Sequence, residues 1–229
     1  MSLPPELQFE LERIAELVKT VTSIAGTSDQ ADTLICLLSD ALLACRRLFI
    51  AWVEEDPNSL QYAAFACRNM LELLVWTAYC ANSKTNADRF REDRVRDKNG
   101  MAKVLESLHG IHAKRAAEGQ IPPLDLSIRD FKVRLRELSA GAGIKELDTH
   151  FKEVREAANE VGMGEMFPAI NKLLSKYAHP TAIAVHSVCL SPEVTQLKYA
   201  FVVWGTTFIL GAITIVKEQA EALNHSKSL

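Results

Sequence analysis

The residues of this chain best suited to chemistry are Arg68, Asn69 and Glu72, which sit in the middle of an otherwise apolar stretch from Tyr62 to Ala81. Arg68 and Glu72 are four residues apart, so on a helix their guanidinium and carboxylate share one face and can pair. A charge taken out of water is costly unless it is paired, and the guanidinium fork has more donors than one carboxylate uses. A further polar partner is therefore required, and His179 in the segment Lys176-Tyr177-Ala178-His179-Pro180-Thr181 is the expected one. An imidazole titrates near neutrality, which suits a pocket where Arg68 holds an anion and His179 moves a proton. The same residues also suit a satisfied polar network that fixes helices in register. Both readings predict that the network is buried.

Other constellations carry less. Glu106-Ser107-Leu108-His109 puts two metal-ligand types on one helical face, but a di-metal bundle needs that motif twice and the chain holds one copy. No metal and no cofactor is expected. Arg89, Arg91, Arg94, Arg96 and Lys98 alternate with Asp88, Glu92, Asp93 and Asp97, a pattern that pairs with itself on a solvated helix. Arg91 and Arg94 are the candidate phosphate contacts of that run, with Lys132, Arg134 and Arg136 as a further basic face. Nucleophilic catalysis finds no Gly-x-Ser-x-Gly turn, and no glycine-rich phosphate loop precedes a helix.

The elements that must position these groups are helical. Strand patterns are almost absent and apolar residues recur at helical spacing, which predicts an all-α bundle of about seven or eight helices. Helices are expected from Pro5 to about Ile24, from a cap supplied by Ser28 and Asp29 to about Glu55, and from Ser59 to Ala81 after the turn Asp56-Pro57-Asn58. The charged segment from Asp88 to Lys98 is expected to break at Asn99-Gly100 and resume from Met101 to about Ala117. Gly119 to Pro123 reads as a linker, followed by a helix through Ile128, Phe131, Leu135 and Leu138, a charged helix around Lys145 to Glu160, and one from Glu165 to Ala178. Ser191-Pro192-Glu193 starts the last helix, expected to end near Leu223. The chain reads as one helical domain over 1–229, with 84–162 as a charged insertion or lobe.

Composition narrows the partners. A formal charge of −3 and a pI near 6.1 give no global attraction to phosphate polymers, so nucleic-acid contact would need a local patch. Five cysteines without a CxxC pair, all among apolar residues, predict buried reduced thiols and a cytoplasmic setting. Met1 to Glu16 lacks the basic and apolar regions of a signal peptide, and none is expected. The uncharged run from Tyr199 to Val216 allows an alternative, an anchor in the inner membrane, although a central bundle helix has the same composition.

The Arg68-Asn69-x-x-Glu72 helix, the downstream Leu174-Ser175-x-Tyr177-x-His179-Pro180-Thr181 segment and the apolar last helix together resemble a group of uncharacterised bacterial helical proteins, themselves similar to HEPN domains. The resemblance implies a homodimer of bacterial stress or phage-defence type that acts on RNA as a metal-independent ribonuclease or an RNA-binding relative. It implies Arg68, Glu72 and His179 as catalytic groups with Asn69 and Tyr177 as binding groups, to which the charged run adds Arg91 and Arg94. The HEPN signature places a histidine after a gap of four to six residues from the arginine, where this chain has Leu73, Leu74 and Val75. His179 would have to complete the site from another helix. The homodimer expectation rests on surplus apolar helix faces and on this resemblance, not on a heptad seam. The alternative is a non-enzymatic interaction module held together by the same Arg-Glu-His network.

Overall fold

Serine and aspartate open the first long helix of the core: Ser28 Oγ accepts from the Ala31 amide at 3.1 Å, and Asp29 and Asp32 lie in the first turn, where the helix dipole favours negative charge. The computed structural model describes residues 5–21, 26–54, 59–120, 128–141, 144, 152–179 and 192–227. Among them are eight helices and no strand: α1 (Pro5–Val21), α2 (Asp29–Val53), α3 (Ser59–Asn82), α4 (Lys84–Ala117), α5 (Ile128–Gly141), α6 (Val154–Glu160), α7 (Met166–Ala178) and α8 (Pro192–Lys227). The chain is an all-α bundle, as its periodicity predicts. The Asp56-Pro57-Asn58 turn, the Ile121-Pro122-Pro123 end of the linker, the start of the expected helix at Lys145, the Pro180-Thr181 end of the histidine segment and the Ser191 cap lie outside the described residues.

Two compact units divide the chain, Met1–Ala87 with Lys152–Leu229, and Asp88–Phe151. In the first, α2, α3 and α8 pack against one another, α1 lies on α8, and α6 and α7 lie on α3. Leu34, Leu38, Leu48, Met70, Leu71, Val75, Phe201, Ile209 and Ile213 form its dry centre. Helix α8 comes so close to α2 and α3 at Gly205 that a Cβ there would collide with Leu48 Cδ2 and stand 3.3 Å from Met70 Sδ. The threonines of α8 are accommodated locally. Thr206, Thr207 and Thr214 each donate to the carbonyl four residues back, at 2.8 to 2.9 Å. From Glu193 to Ala222 the helix is long and apolar enough to cross a membrane, and half of its most apolar window is buried inside the unit.

Lys198 of α8 is a buried charge with partners. Its Nζ donates to the Glu54 carbonyl at 3.1 Å and to Ser59 Oγ at 2.9 Å, fastening the end of α2 and the start of α3 to α8. The negative end of the α2 dipole favours the ammonium there. Cys45, Cys67 and Cys80 are buried, and loss of hydration pushes each thiol up to about 12, so they are inert core groups. Cys36, expected among them, is exposed, and Cys189 lies outside the described residues.

The joint between α3 and α4 is one residue long. Ser83 Oγ accepts from the Asn86 amide at 3.1 Å to cap α4, while Asn86 Nδ2 donates to the Tyr79 carbonyl at 3.0 Å to close α3. Helix α4 then runs without the break expected at Asn99-Gly100. Tertiary packing overrides the local signal: Val95 and Ala102, on either side of it, are buried with Leu135 of α5, and Ile144 packs against them. At the end of α6, Gly162 takes φ +77°, and Met163 N donates to the Ala158 carbonyl at 2.8 Å, which turns the chain toward α7.

Because Leu48 and Met70 already fill the space at Gly205, Gly205→Val should overpack the α2, α3 and α8 contact and destabilise the protein by about 2 kcal/mol. Urea unfolding monitored by circular dichroism checks this, and an unchanged midpoint contradicts it.

Candidate functional site

Arg68 stands at the contact of α3 with α7, and its guanidinium is the hub of the polar groups there. Nε points between two acceptors, Glu72 Oε1 at 3.0 Å on its own helix and Asn171 Oδ1 at 3.0 Å on α7, a three-centre bond. Nη1 lies 3.0 Å from His179 Nε2, at the C-cap of α7. An arginine only donates, so Nε2 is the acceptor and the ring carries its proton on Nδ1. One Nη1 hydrogen and both Nη2 hydrogens have no partner among the described residues, leaving a donor edge free for an anion.

The local sequence explains why these groups meet. Asn171, Ser175 and Ala178 follow one face of α7. Ser175 Oγ donates to the Asn171 carbonyl at 2.6 Å, and Gln61 Nε2 of α3 donates to the Ala178 carbonyl at 3.4 Å. Leu174 and Phe167 bury the apolar side of α7. Its polar edge is thereby left along Arg68 and Glu72.

The network is not buried as predicted. The side chains of Arg68 and Glu72 are 26% and 29% exposed, and His179 is exposed. Helix α3 has apolar residues on nearly every face, but Tyr62 and Phe65 are 53% and 46% exposed, so one of those faces meets solvent instead of core. On this side lies a cleft of about 330 Å³ between α2 and α3, lined by Asp40, Leu43 and Arg47 from α2 and by Asn69, Glu72 and Trp76 from α3, among others. Glu72 thus belongs both to the Arg68 network and to the cleft wall.

Of the residues singled out in the sequence, Arg68, Glu72 and His179 come together. Asn69 turns to the cleft. The ring of Tyr177 lies 5.8 Å from that of Phe201 on α8, an aromatic packing contact. Arg91 and Arg94 are exposed on α4 in the second unit. Glu106, half of the metal motif, accepts from Lys132 Nζ at 2.6 Å, and no cluster of three metal-ligating side chains occurs among the described residues. Sequence reasoning missed Asn171, Arg47, Asp40 and Trp76. Asn171 had a signal, since it lies eight residues before His179 on the same stretch of helix.

The family description that matches this chain covers residues 32–193, more than two thirds of it. The chain belongs to DUF5677, a family of unknown function. The DUF5677 match holds every residue of the Arg68 network and the whole cleft, whereas α1 and nearly all of α8, including the apolar run, fall outside it. No match was found among curated proteins or among solved structures.

With its partners partly solvated, the ion pair is a weak fastener. Arg68→Ala should cost about 1 kcal/mol, less than the 3 to 5 expected for breaking a fully buried pair. Chemical denaturation of the variant measures this; a loss at the upper figure would make the network chiefly structural.

Proposed function

We propose that this DUF5677 protein binds RNA and cleaves it without a metal ion at the Arg68, Glu72 and His179 site, as a HEPN-like helical protein of bacterial stress or defence type. The observation that carries the reading is the 3.0 Å approach of Arg68 Nη1 to His179 Nε2, on groups that are open to solvent. An arginine with free donors beside a neutral imidazole lone pair is the pair of groups that phosphodiester transesterification needs. Arg68 neutralises a non-bridging phosphate oxygen. When Arg68 Nη1 exchanges the imidazole for that phosphate oxygen, the freed Nε2 of His179 removes the proton of the adjacent 2′-hydroxyl, whose oxygen attacks phosphorus. The 5′ oxygen leaves and takes a proton from the imidazolium or from water, giving a 2′,3′-cyclic phosphate and a 5′-hydroxyl end. Glu72 and Asn171 hold the guanidinium plane in place.

The neighbouring cleft supports the same reading. Its volume falls at the lower end of small-molecule sites, Trp76 and Leu43 offer apolar surface to a base, and Arg47 and Asn69 offer donors. A nucleotide whose phosphate lies at Arg68 has room there for its base. Arg91 and Arg94 belong to this reading as exposed phosphate contacts on α4. The setting is cytoplasmic.

Two other readings have observations of their own. Arg68 ties Glu72 of α3 to Asn171 of α7, as an interaction module without enzyme activity would require. Helix α8 meets the length and hydropathy of a membrane span, which suits an inner-membrane anchor through 199–216. Fractionation separates that anchor from a cytoplasmic protein: an anchored chain stays with carbonate-washed membranes.

The main test is cleavage of mixed RNA in EDTA by wild type, Arg68→Ala and His179→Ala, with circular dichroism as the folding control. His179→Ala is expected to lose roughly a hundredfold or more in rate while remaining folded. Undiminished cleavage by that variant refutes the role of His179, and no cleavage by folded wild type favours the interaction module.

A further inference from the structure

The solvent face of α4 carries an apolar pattern that the RNA reading does not use, although the outermost layer beside it shares Arg94 with that reading. Met101, Val104, Leu108 and Ile111 are 49%, 58%, 55% and 55% exposed and follow one another at spacings of three, four and three, the rhythm of a coiled-coil seam. The rhythm continues outward through charged residues, Asp97 and Arg94 on one side and Arg115 and Glu118 on the other, all exposed. Glu118 keeps the helical register past the end of α4, since its amide donates to the Lys114 carbonyl at 3.1 Å. At 1.5 Å per residue the seam from Arg94 to Glu118 is about 36 Å long, between three and four heptads.

The order of the charges says what covers it. We propose that α4 pairs antiparallel with α4 of a second copy of this chain, about a twofold axis that crosses the seam midway between Val104 and Leu108. That axis sets Met101 against Ile111 of the partner subunit and Val104 against Leu108 of the partner subunit. Beyond these apolar layers it sets Asp97 against the partner's Arg115 and Arg94 against the partner's Glu118. Every charged layer then joins opposite signs. Parallel pairing would instead place each of the four charged residues on its own copy, four layers of like charge. A foreign helix would have to reproduce this two-ended arrangement, whereas a second copy supplies it by symmetry.

The interior of the second unit is consistent with a need for outside packing. Its buried apolar cluster among the described residues is Val95, Ala102 and Leu135, with Ile144 beside it. Gly100 and Gly110 lie within α4 with open space where a Cβ would be, so each weakens the helix without permitting a close contact inside the chain. Arg94, Asp97 and Arg115 have no ion-pair partner among the described residues and are available to the seam. The small apolar centre points to a dimer of roughly micromolar dissociation constant.

Sedimentation equilibrium of the full chain, up to roughly 100 µM, tests the seam. Wild type should dimerise, and Leu108→Glu should be monomeric with unchanged helix content, because the side chain it replaces is already exposed. Asp97→Arg and Arg115→Asp should each weaken dimerisation about tenfold or more, and the double variant should recover to within about threefold of wild type. Recovery is specific to antiparallel pairing, where the two changes meet across the axis. A wild type that stays monomeric overturns the proposal, as does a dimer indifferent to Leu108→Glu. A double variant no tighter than the single ones overturns the antiparallel arrangement.

Discussion

Covering the apolar surface of α8 is the constraint on which the larger unit depends. Phe201, Phe208, Ile209, Ala212, Ile213 and Val216 have to leave water together, and α2 and α3 are the helices that take them in. The approach is close because Gly205 offers no side chain, and Lys198 fixes its axial position by bonding the ends of both neighbouring helices. Once one side of α3 is committed to α8 and another to α2, α7 takes a third. Arg68 lies at that third contact, held where two helices meet but short of the dry centre.

That placement bears on what Arg68 is for. In a dry interior its bonds to Glu72 and Asn171 would be a strong tie, and an unpaired guanidinium would be intolerable. At about a quarter exposure the pair contributes little to stability, and water can satisfy donors that the protein leaves free. A guanidinium fixed by two oxygen acceptors on one edge and open on the other is better suited to exchanging ligands than to fastening helices. The imidazole beside it accepts from Arg68, and its Nε2 lone pair becomes available when Arg68 turns to another acceptor.

Much of this was legible in the sequence. The period of apolar residues gave the helices, Ser28 gave the start of α2, and the four-residue spacing of Arg68 and Glu72 gave the ion pair. The approach of His179 followed from the need to satisfy a guanidinium with more donors than one carboxylate can use. Exposure was misjudged, because a helix can be apolar all round and still have one face uncovered, as Tyr62 and Phe65 do. The spacing of Asn171 from His179 was a signal, but a single polar residue on an amphipathic helix looks like surface until the packing direction is known. The cleft depends on which residues of α2 and α3 face each other, which no local pattern states. Helix α4 misled because Asn99-Gly100 looked like a stop although packing on α5 carries the helix through it.

The central claim is that Arg68 and His179 act on a phosphodiester through the neighbouring 2′-hydroxyl. The most direct measurement is the chemistry of the product ends from a short RNA incubated with the purified protein in EDTA, beside the same RNA carrying one 2′-deoxy residue at the site of cleavage. The account predicts 2′,3′-cyclic phosphate and 5′-hydroxyl ends, and no cleavage at the deoxy position. Cleavage that persists at the deoxy position, or an RNA left intact by the folded protein, would contradict it.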